Sequence, residues 1–218
     1  MGMFRPSFWT RLRSYFWPVT IEKRMGQLDH ELEVLVYHGK LMLDTSEVNY
    51  SFGKLHEVMR SVLGKLKERR YPFDQVLILG YGGGSAAQII HDEINADAQI
   101  VGVELDPEVV ALTEKYFYKK EVKILNEDAF HYVERAVKQE WEYDTLIIDL
   151  FENQKQPEWN DAFWLHLKKL LTQDGVGVLN TMLEEKEFQK IGAELQSFGF
   201  TIQKWNDIRE NRVWVFRK

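Results

Sequence analysis

The sequence predicts an α/β fold: a mostly parallel seven-stranded sheet ending in an antiparallel hairpin, with a small β appendage at the N-terminus. Three observations predict it. From residue 75 to about residue 197, strand-like and helix-like segments alternate. The stretch VLILGYGGGSAAQII, residues 76–90, reads as a buried strand, a glycine turn and the start of a helix. The last segments, FTIQKWND and NRVWVFRK, read as two strands joined by a short turn, which must pair antiparallel.

Composition narrows the class. The 218 residues are enough for one good core and a small appendage. With 44% apolar and 28% charged residues, the chain is expected to fold rather than stay disordered. A net charge of -6 disfavours a nucleic-acid partner and suits a cationic small molecule. No cysteine is present, which excludes disulfides, thiolate nucleophiles and Cys-type zinc sites and fits a reducing, cytoplasmic location. No apolar run reaches the ~18 residues of a membrane span, and no secretory apolar segment is seen.

In chain order, residues 1–17 are aromatic and basic, with Phe4, Phe8, Trp9, Tyr15, Phe16 and Trp17 beside Arg5, Arg11 and Arg13. Such a segment is expected to pack on its own domain or a second subunit rather than to lie on a membrane surface. VTIEKRM is a strand, and ELEVLVY and KLMLDT form a hairpin about His38-Gly39. Leu55, Val58, Met59, Val62, Leu63 and Leu66 recur at helical spacing, with Ser51 as the expected N-cap. The domains are expected at residues 1–52 and 53–218. In the second, PEVVALTEKYF starts with Pro107 in its first turn. DAFHYVERAVKQ is the next helix, and DAFWLHLKKLL follows with Asp161 as its expected cap. GVGVLNT is a strand and EKEFQKIGAELQSF a helix before the final hairpin.

The glycines admit two readings. From Gly82 the pattern is G-x-G-x-x-A, a dinucleotide fingerprint. From Gly80 it is G-x-G-x-G behind an apolar strand, the first motif of class I S-adenosylmethionine (SAM) methyltransferases. A plain tight turn is the third possibility. The acids point to a nucleoside site. Glu104 ends QIVGVE, about 20 residues past the turn, where a carboxylate can grip two ribose hydroxyls. Asp128 follows VKILNED and Asp149 ends YDTLIID. Three successive parallel strands thus bring an acid to the carboxyl edge, where open α/β sheets bind ligands.

Together these segments resemble the spermidine synthase (polyamine aminopropyltransferase) family, a branch of the Rossmann-like SAM-methyltransferase fold. The resemblance spans residues 19 to about 182. It is carried by LILGYGGGSAAQ, VGVELDPEVVALTEKYF, NEDAFHYV, YDTLIIDLFE and FWLHLKKLLTQDGVGVLNT, and faintly by LMLDTSEVNYSFG. It implies that Glu104 binds the ribose, that Asp128 and the Ala129 backbone hold the adenine, and that Gly80, Gly82 and Gly84 admit the amino-acid side. Asp149 matches the aspartate that receives or orients the attacking amine, and Tyr50 a substrate-site tyrosine. It also implies SAM or decarboxylated SAM as cofactor, and a homodimer through the N-terminal part.

The departures cluster where the family reads its diamine. An acid after the three glycines is Ser85 here. The D-S-S-D strand end is Asp149, Leu150, Phe151 and Glu152, so the outer acids stay and Glu152 joins the candidate site. The segment 46–52 keeps Tyr50 and Glu47, and Asn180 replaces a glutamine. With Ser85 near the donor's tail, methyl transfer from SAM is expected over aminopropyl transfer, since an acid there would repel SAM's carboxylate. The alternatives are aminopropyl transfer to a polyamine, a nicotinamide enzyme and a non-catalytic nucleoside-binding protein.

The other candidates have plainer readings. His56, His91, His131 and His166 show no metal-ligand spacing, so no metal is expected. Trp159 and Trp164 could stack on substrate or pack in the core. No G-x-S-x-G elbow supplies a hydrolase nucleophile.

Overall fold

The computed structural model describes residues 4–27, 31–45, 54–117, 121–150, 159–208 and 211–218. Two sheets organise them. The smaller is antiparallel in the order β1 (Val19–Met25), β2 (Glu31–Tyr37), β3 (Lys40–Thr45). His38 and Gly39 close the β2–β3 hairpin with φ of 47° and 75°, the backbone twist that a two-residue hairpin turn requires.

The larger sheet contains β4 (Gln75–Leu79), β5 (Gln99–Glu104), β6 (Val122–Asn126), β7 (Tyr143–Ile148), β8 (Leu171–Thr181), β9 (Thr201–Ile208) and β10 (Asn211–Arg217). Its order is β6-β5-β4-β7-β8-β10-β9. The first five in that order run parallel, whereas β10 pairs antiparallel with both β8 and β9. This is the expected sheet. After β4 the chain winds outward to β6, then returns to β7 on the other side of β4. The order therefore reverses between β4 and β7, the place where open sheets leave a crevice at their carboxyl ends.

Helices cover both faces. The elements are α1 (Phe8–Arg13), α2 (Lys54–Glu68), α3 (Ser85–Ile89), α4 (Pro107–Tyr116), α5 (Ala129–Lys138), α6 (Asp161–Leu170) and α7 (Glu185–Ser197). On one face Val58, Met59, Val62, Leu63 and Leu66 of α2 pack with Ile78, Ala87, Ile147 and Val178. On the other, Tyr132, Val133, Phe163, Trp164, Leu167 and Phe188 pack with Leu77, Leu79, Leu146 and Leu179. Trp164 is therefore a core residue, 1% exposed.

Four details differ from expectation. The cap of α6 is Asn160, whose side chain accepts from the Phe163 N–H at 2.9 Å, rather than Asp161, which lies in the first turn. The strand β8 starts at Leu171, four residues before the glycine that the pattern suggested. A π turn, Ile90–Ile94, extends α3 and is closed by the Asn95 N–H on the Ile90 carbonyl at 2.8 Å. The helix α1 buries none of its residues, with Phe8, Trp9 and Phe16 72%, 70% and 75% exposed, while Phe4 before it packs against Tyr116 and Tyr15 after it lies against His38 and Gly39. The helix is held by Ser14, which is fully buried, accepts from the Gly39 N–H at 2.9 Å and donates to the Arg11 carbonyl. The expected Ser51 cap lies outside the described residues.

Among the described residues the small sheet shares a core cluster with α4. Leu32, Val34 and Leu43 are buried against Val109, Leu112 and Tyr116 of α4. Polar contacts fix the same joint. Glu22 accepts from Lys115, Tyr116 and Arg24, which holds its carboxyl down at a pKa of about 2, and Arg24 also reaches Glu108 at 2.9 Å. No helix among the described residues is long and apolar enough to cross a membrane.

Candidate active site

The site begins with the turn after β4. Gly80, Gly82 and Gly84 have φ of 81°, 53° and 79°, a region that costs other residues strain. Space makes the same demand at Gly80, where a Cβ would lie 2.1 Å from the Asp149 carbonyl oxygen. The turn is stapled to its neighbours: the Gly80 and Tyr81 N–H groups donate to the Val103 carbonyl, and the Asp149 N–H donates to the Leu79 carbonyl. Asp149 is thereby fixed one residue past the end of β7, directly beside the turn.

Glu104 lies on the other side. It is 8% exposed at the end of β5, and one carboxylate oxygen accepts from the Gly82 N–H at 2.8 Å, the other from the Asp106 N–H at 3.1 Å. Burial pushes its carboxyl upward in pKa, while the two amides oppose that shift. An ionised carboxylate has about four acceptor positions. The Leu105 amide also acts on this carboxylate, and the acceptor positions left over can take ribose hydroxyls. The Gly82 peptide is fixed at both ends, because its carbonyl accepts from Thr113 Oγ1 at 2.8 Å. Thr113 is fully buried on α4.

Asp128 is the N-cap of α5 and accepts from the His131 N–H at 2.9 Å. That bond uses one oxygen. The first helical N–H groups, those of Ala129 and Phe130, have no intrahelical acceptor by geometry. Phe130 continues into an aromatic wall with Phe163 and Trp159, ring centroids 4.5 and 6.3 Å away. The His131 side chain is 80% exposed.

Asp149 is the reactive-looking group. It lines a small cleft with Gly80, Tyr81, Ser85, Ala86, Met59, Ile78 and Ile147. The Asp149 carboxyl is enclosed on most sides yet keeps an opening to the cleft. Burial raises its pKa to about 6, against the Asn180 amide, which donates to Oδ1 at 2.8 Å; the Glu104 charge adds to the rise. A buried acid with a raised pKa in a cleft is a common mark of a reactive site.

The structure therefore gathers Gly80, Ser85 and Asp149 in one cleft and ties Gly82 to Glu104. Gly84 forms the N-cap of α3, with Tyr81 packed over it. Asp128 and Ala129 stand at the neighbouring strand end. Tyr50 and Glu152 lie outside the described residues. Sequence reasoning missed Tyr81, whose ring fills the space over Gly102 and Gly84, and Thr113 and Met59. The missing side chain at Gly102 was a usable signal for a bulky neighbour; for Thr113 no local pattern existed. Among the described residues no three His, Cys, Asp or Glu side chains converge as a metal site requires.

Comparison with known proteins fits this geometry. Residues 55–206 match the model of the spermine/spermidine synthase domain. The chain belongs to that family. A polyamine aminopropyltransferase of Vibrio vulnificus is 31% identical over 129 residues, covering 57% of this chain and 43% of the relative. An eEF1A lysine and N-terminal methyltransferase homolog of Drosophila melanogaster is 24% identical over 125 residues, 52% of this chain and 18% of the relative. The chain thus spans less than half the length of the curated relatives it matches. A probable spermidine synthase from Corynebacterium glutamicum superposes with a TM-score of 0.72 at 18% identity, covering 90% of this chain and 79% of that one. The fold is the class I SAM-methyltransferase fold.

Proposed function

We propose that the chain is a SAM-dependent transferase that moves a methyl group from the sulfonium of SAM to a small amine. The observation that carries this reading is Asp149, an enclosed carboxylate with a pKa raised to about 6 beside a small cleft. Family membership and relatives named as aminopropyl- and methyltransferases support a sulfonium nucleoside as donor.

The residues fit that donor. Glu104 would accept both ribose hydroxyls with the lone pairs its backbone bonds leave. Asp128 and the Ala129 N–H would read the adenine. The turn at residues 80–84 would lie under the amino-acid side. The donor supplies an electrophilic carbon on a positively charged sulfur. The amine nitrogen forms a bond to that carbon as the carbon–sulfur bond breaks, its electron pair passing to sulfur. An amine has a pKa near ~10 and must shed a proton first. Asp149 takes that proton or holds the nitrogen's lone pair in line. Orientation alone can contribute ~7–11 kcal/mol to lowering the barrier. Tyr50 and Glu152 are proposed to complete the acceptor side, and residues 1–45 to form a homodimer contact.

Ser85 favours methyl. It lies in the cleft with Asp149 at the position where the family pattern carries an acid. An acid there would meet SAM's own carboxylate, a repulsion of about 4 kcal/mol at ~4 Å and an effective dielectric near ~20. The second reading, aminopropyl transfer from decarboxylated SAM to a polyamine, is favoured by the Vibrio relative's name. Calorimetry with SAM, its demethylated product, decarboxylated SAM and NAD tests the site. Tight binding of SAM and its product supports the proposal; binding of NAD alone, or of nothing, refutes it.

A further inference from the structure

Asp106 is a buried acid, 1% exposed, two residues past Glu104. It is the N-cap of α4, where Oδ1 accepts from the Glu108 N–H at 2.8 Å. A helix cap needs only that one oxygen. The other, Oδ2, accepts from the Gln27 N–H at 2.8 Å, in the turn that follows β1 and 79 residues away in the chain. The main chain of Asp106 is engaged as well, since its N–H donates to Glu104 at 3.1 Å. One residue therefore joins the N-terminal sheet, the start of α4 and the carboxylate at the end of β5.

We infer that Asp106 is a positioning residue that couples the seating of the N-terminal sheet to the grip of Glu104 on the donor's ribose. The inference rests on the reading above, in which Glu104 takes the ribose hydroxyls. Glu104 Oε1 is aimed by the Asp106 N–H, and that N–H is fixed only as well as residue 106 itself. The cap bond fixes residue 106 to α4, and the Gln27 bond fixes it to the sheet. The helix is also held on two sides. Leu32, Val34 and Leu43 pack on Val109 and Leu112, while Thr113 holds the Gly82 carbonyl. The Gly82 N–H donates to the other Glu104 oxygen. The Gly82 and Asp106 amides that bond Glu104 are thus both backed by α4, and α4 by the N-terminal sheet. A carboxylate already held in its bound position loses less freedom when the ligand arrives, so affinity rises. Linkage makes the effect reciprocal: a nucleoside that favours this arrangement also strengthens the Gln27–Asp106 bond. The contacts of Glu22 with Lys115 and Tyr116 sit at the other end of α4, outside this path.

The test uses the full chain and two nucleosides that share a ribose and differ in tail, S-adenosylhomocysteine and methylthioadenosine. In the wild type, saturating nucleoside should slow amide exchange at Gln27 by about fivefold. That response is read without any variant. Glu104→Ala, saturated with the same nucleoside, should lose it, because the path runs through Glu104. Asp106→Asn and Asp106→Ser keep a good N-cap but leave one oxygen for two N–H groups. Both should bind either nucleoside about fivefold more weakly by calorimetry, and exchange at Gln27 should no longer respond. Glu22→Gln is the control and should keep both the affinity and the response. Exchange at Gln27 that ignores the nucleoside in the wild type, a response that survives in Glu104→Ala, or wild-type affinity in both Asp106 variants refutes this inference and leaves the donor site standing. Binding of neither nucleoside to the wild type refutes the transferase reading, and this inference with it.

Discussion

Two carboxylates flank the same glycine turn; burial raises the pKa of both, and they differ in what holds them. Glu104 is buried, and each of its oxygens is already fixed by a backbone N–H from Gly82 or Asp106. Asp149 has one side-chain donor, Asn180, and a raised pKa of about 6. Backbone amides cannot move or lose a proton, so Glu104 is set as a rigid acceptor. A single amide donor under burial leaves Asp149 close to titration at neutral pH. The contrast separates holding from reacting along one sheet edge.

The largest effect should come from the reacting side. Asp149→Asn keeps the shape but cannot take a proton, so turnover should fall by ~10²–10⁴-fold. Nucleoside affinity should stay within about twofold by calorimetry. A mutant that retains most of its rate would remove Asp149 from the chemistry. On the holding side the pattern inverts. Glu104→Ala should weaken SAM binding by about 1.5–3 kcal/mol through the lost charge-assisted ribose bonds. An unchanged affinity would place the ribose elsewhere.

The two sides also differ with pH. Activity should rise as pH passes about 6, because ionised Asp149 is the working form. Stability runs the other way. The folded pKa lies above the ordinary aspartate value of 3.8, so the contribution is fully present below that value and is lost as pH rises through about 6. Asp149→Asn should therefore be more stable than wild type at pH 7, by up to about 2 kcal/mol after allowing for the open side of the cleft, and no different near pH 3. Thermal melts at both values check this.

A smaller effect is expected at the buttress. Thr113→Val removes the hydroxyl that holds the Gly82 carbonyl and should cost about 1 kcal/mol of SAM affinity without changing the pH profile. The smallest lies at the joint with the N-terminal sheet. Glu22 has its pKa lowered to about 2, so its contribution is present above the ordinary value of 4.5 and fades as pH falls through about 2. Glu22→Gln should loosen that sheet from α4 at neutral pH, seen as faster amide exchange in residues 31–37, with donor affinity unaltered.

The holding side was the more legible in the sequence. Its logic is local: an apolar run, glycines at a turn, and an acid at the end of the next strand. Each follows from a backbone requirement written in consecutive residues. The reacting side depends on a pairing of residues 31 apart in the chain, Asp149 and Asn180, and register decides it. Asn180 stood out in the sequence only as a departure from the family pattern. Its bond to Asp149 is visible only in three dimensions. Thr113 was hidden for the same reason, since an inward threonine on α4 has no signature until α4 is seated beside the turn. The error at Asp161 was of another kind. Asn160 and Asp161 are both good capping residues, and the chain used the first. The exposure of α1 could not be read from composition, because aromatic residues are more often buried than exposed and here Phe8, Trp9 and Phe16 are the exception.

The most direct measurement is a single-turnover reaction with a primary amine and either SAM or decarboxylated SAM, with the nucleoside product identified by mass spectrometry. S-adenosylhomocysteine formed from SAM, and absent with Asp149→Asn, is the predicted result. Methylthioadenosine formed from the decarboxylated donor, with no reaction of SAM, would contradict the methyl reading and mean that Ser85 does not select the donor.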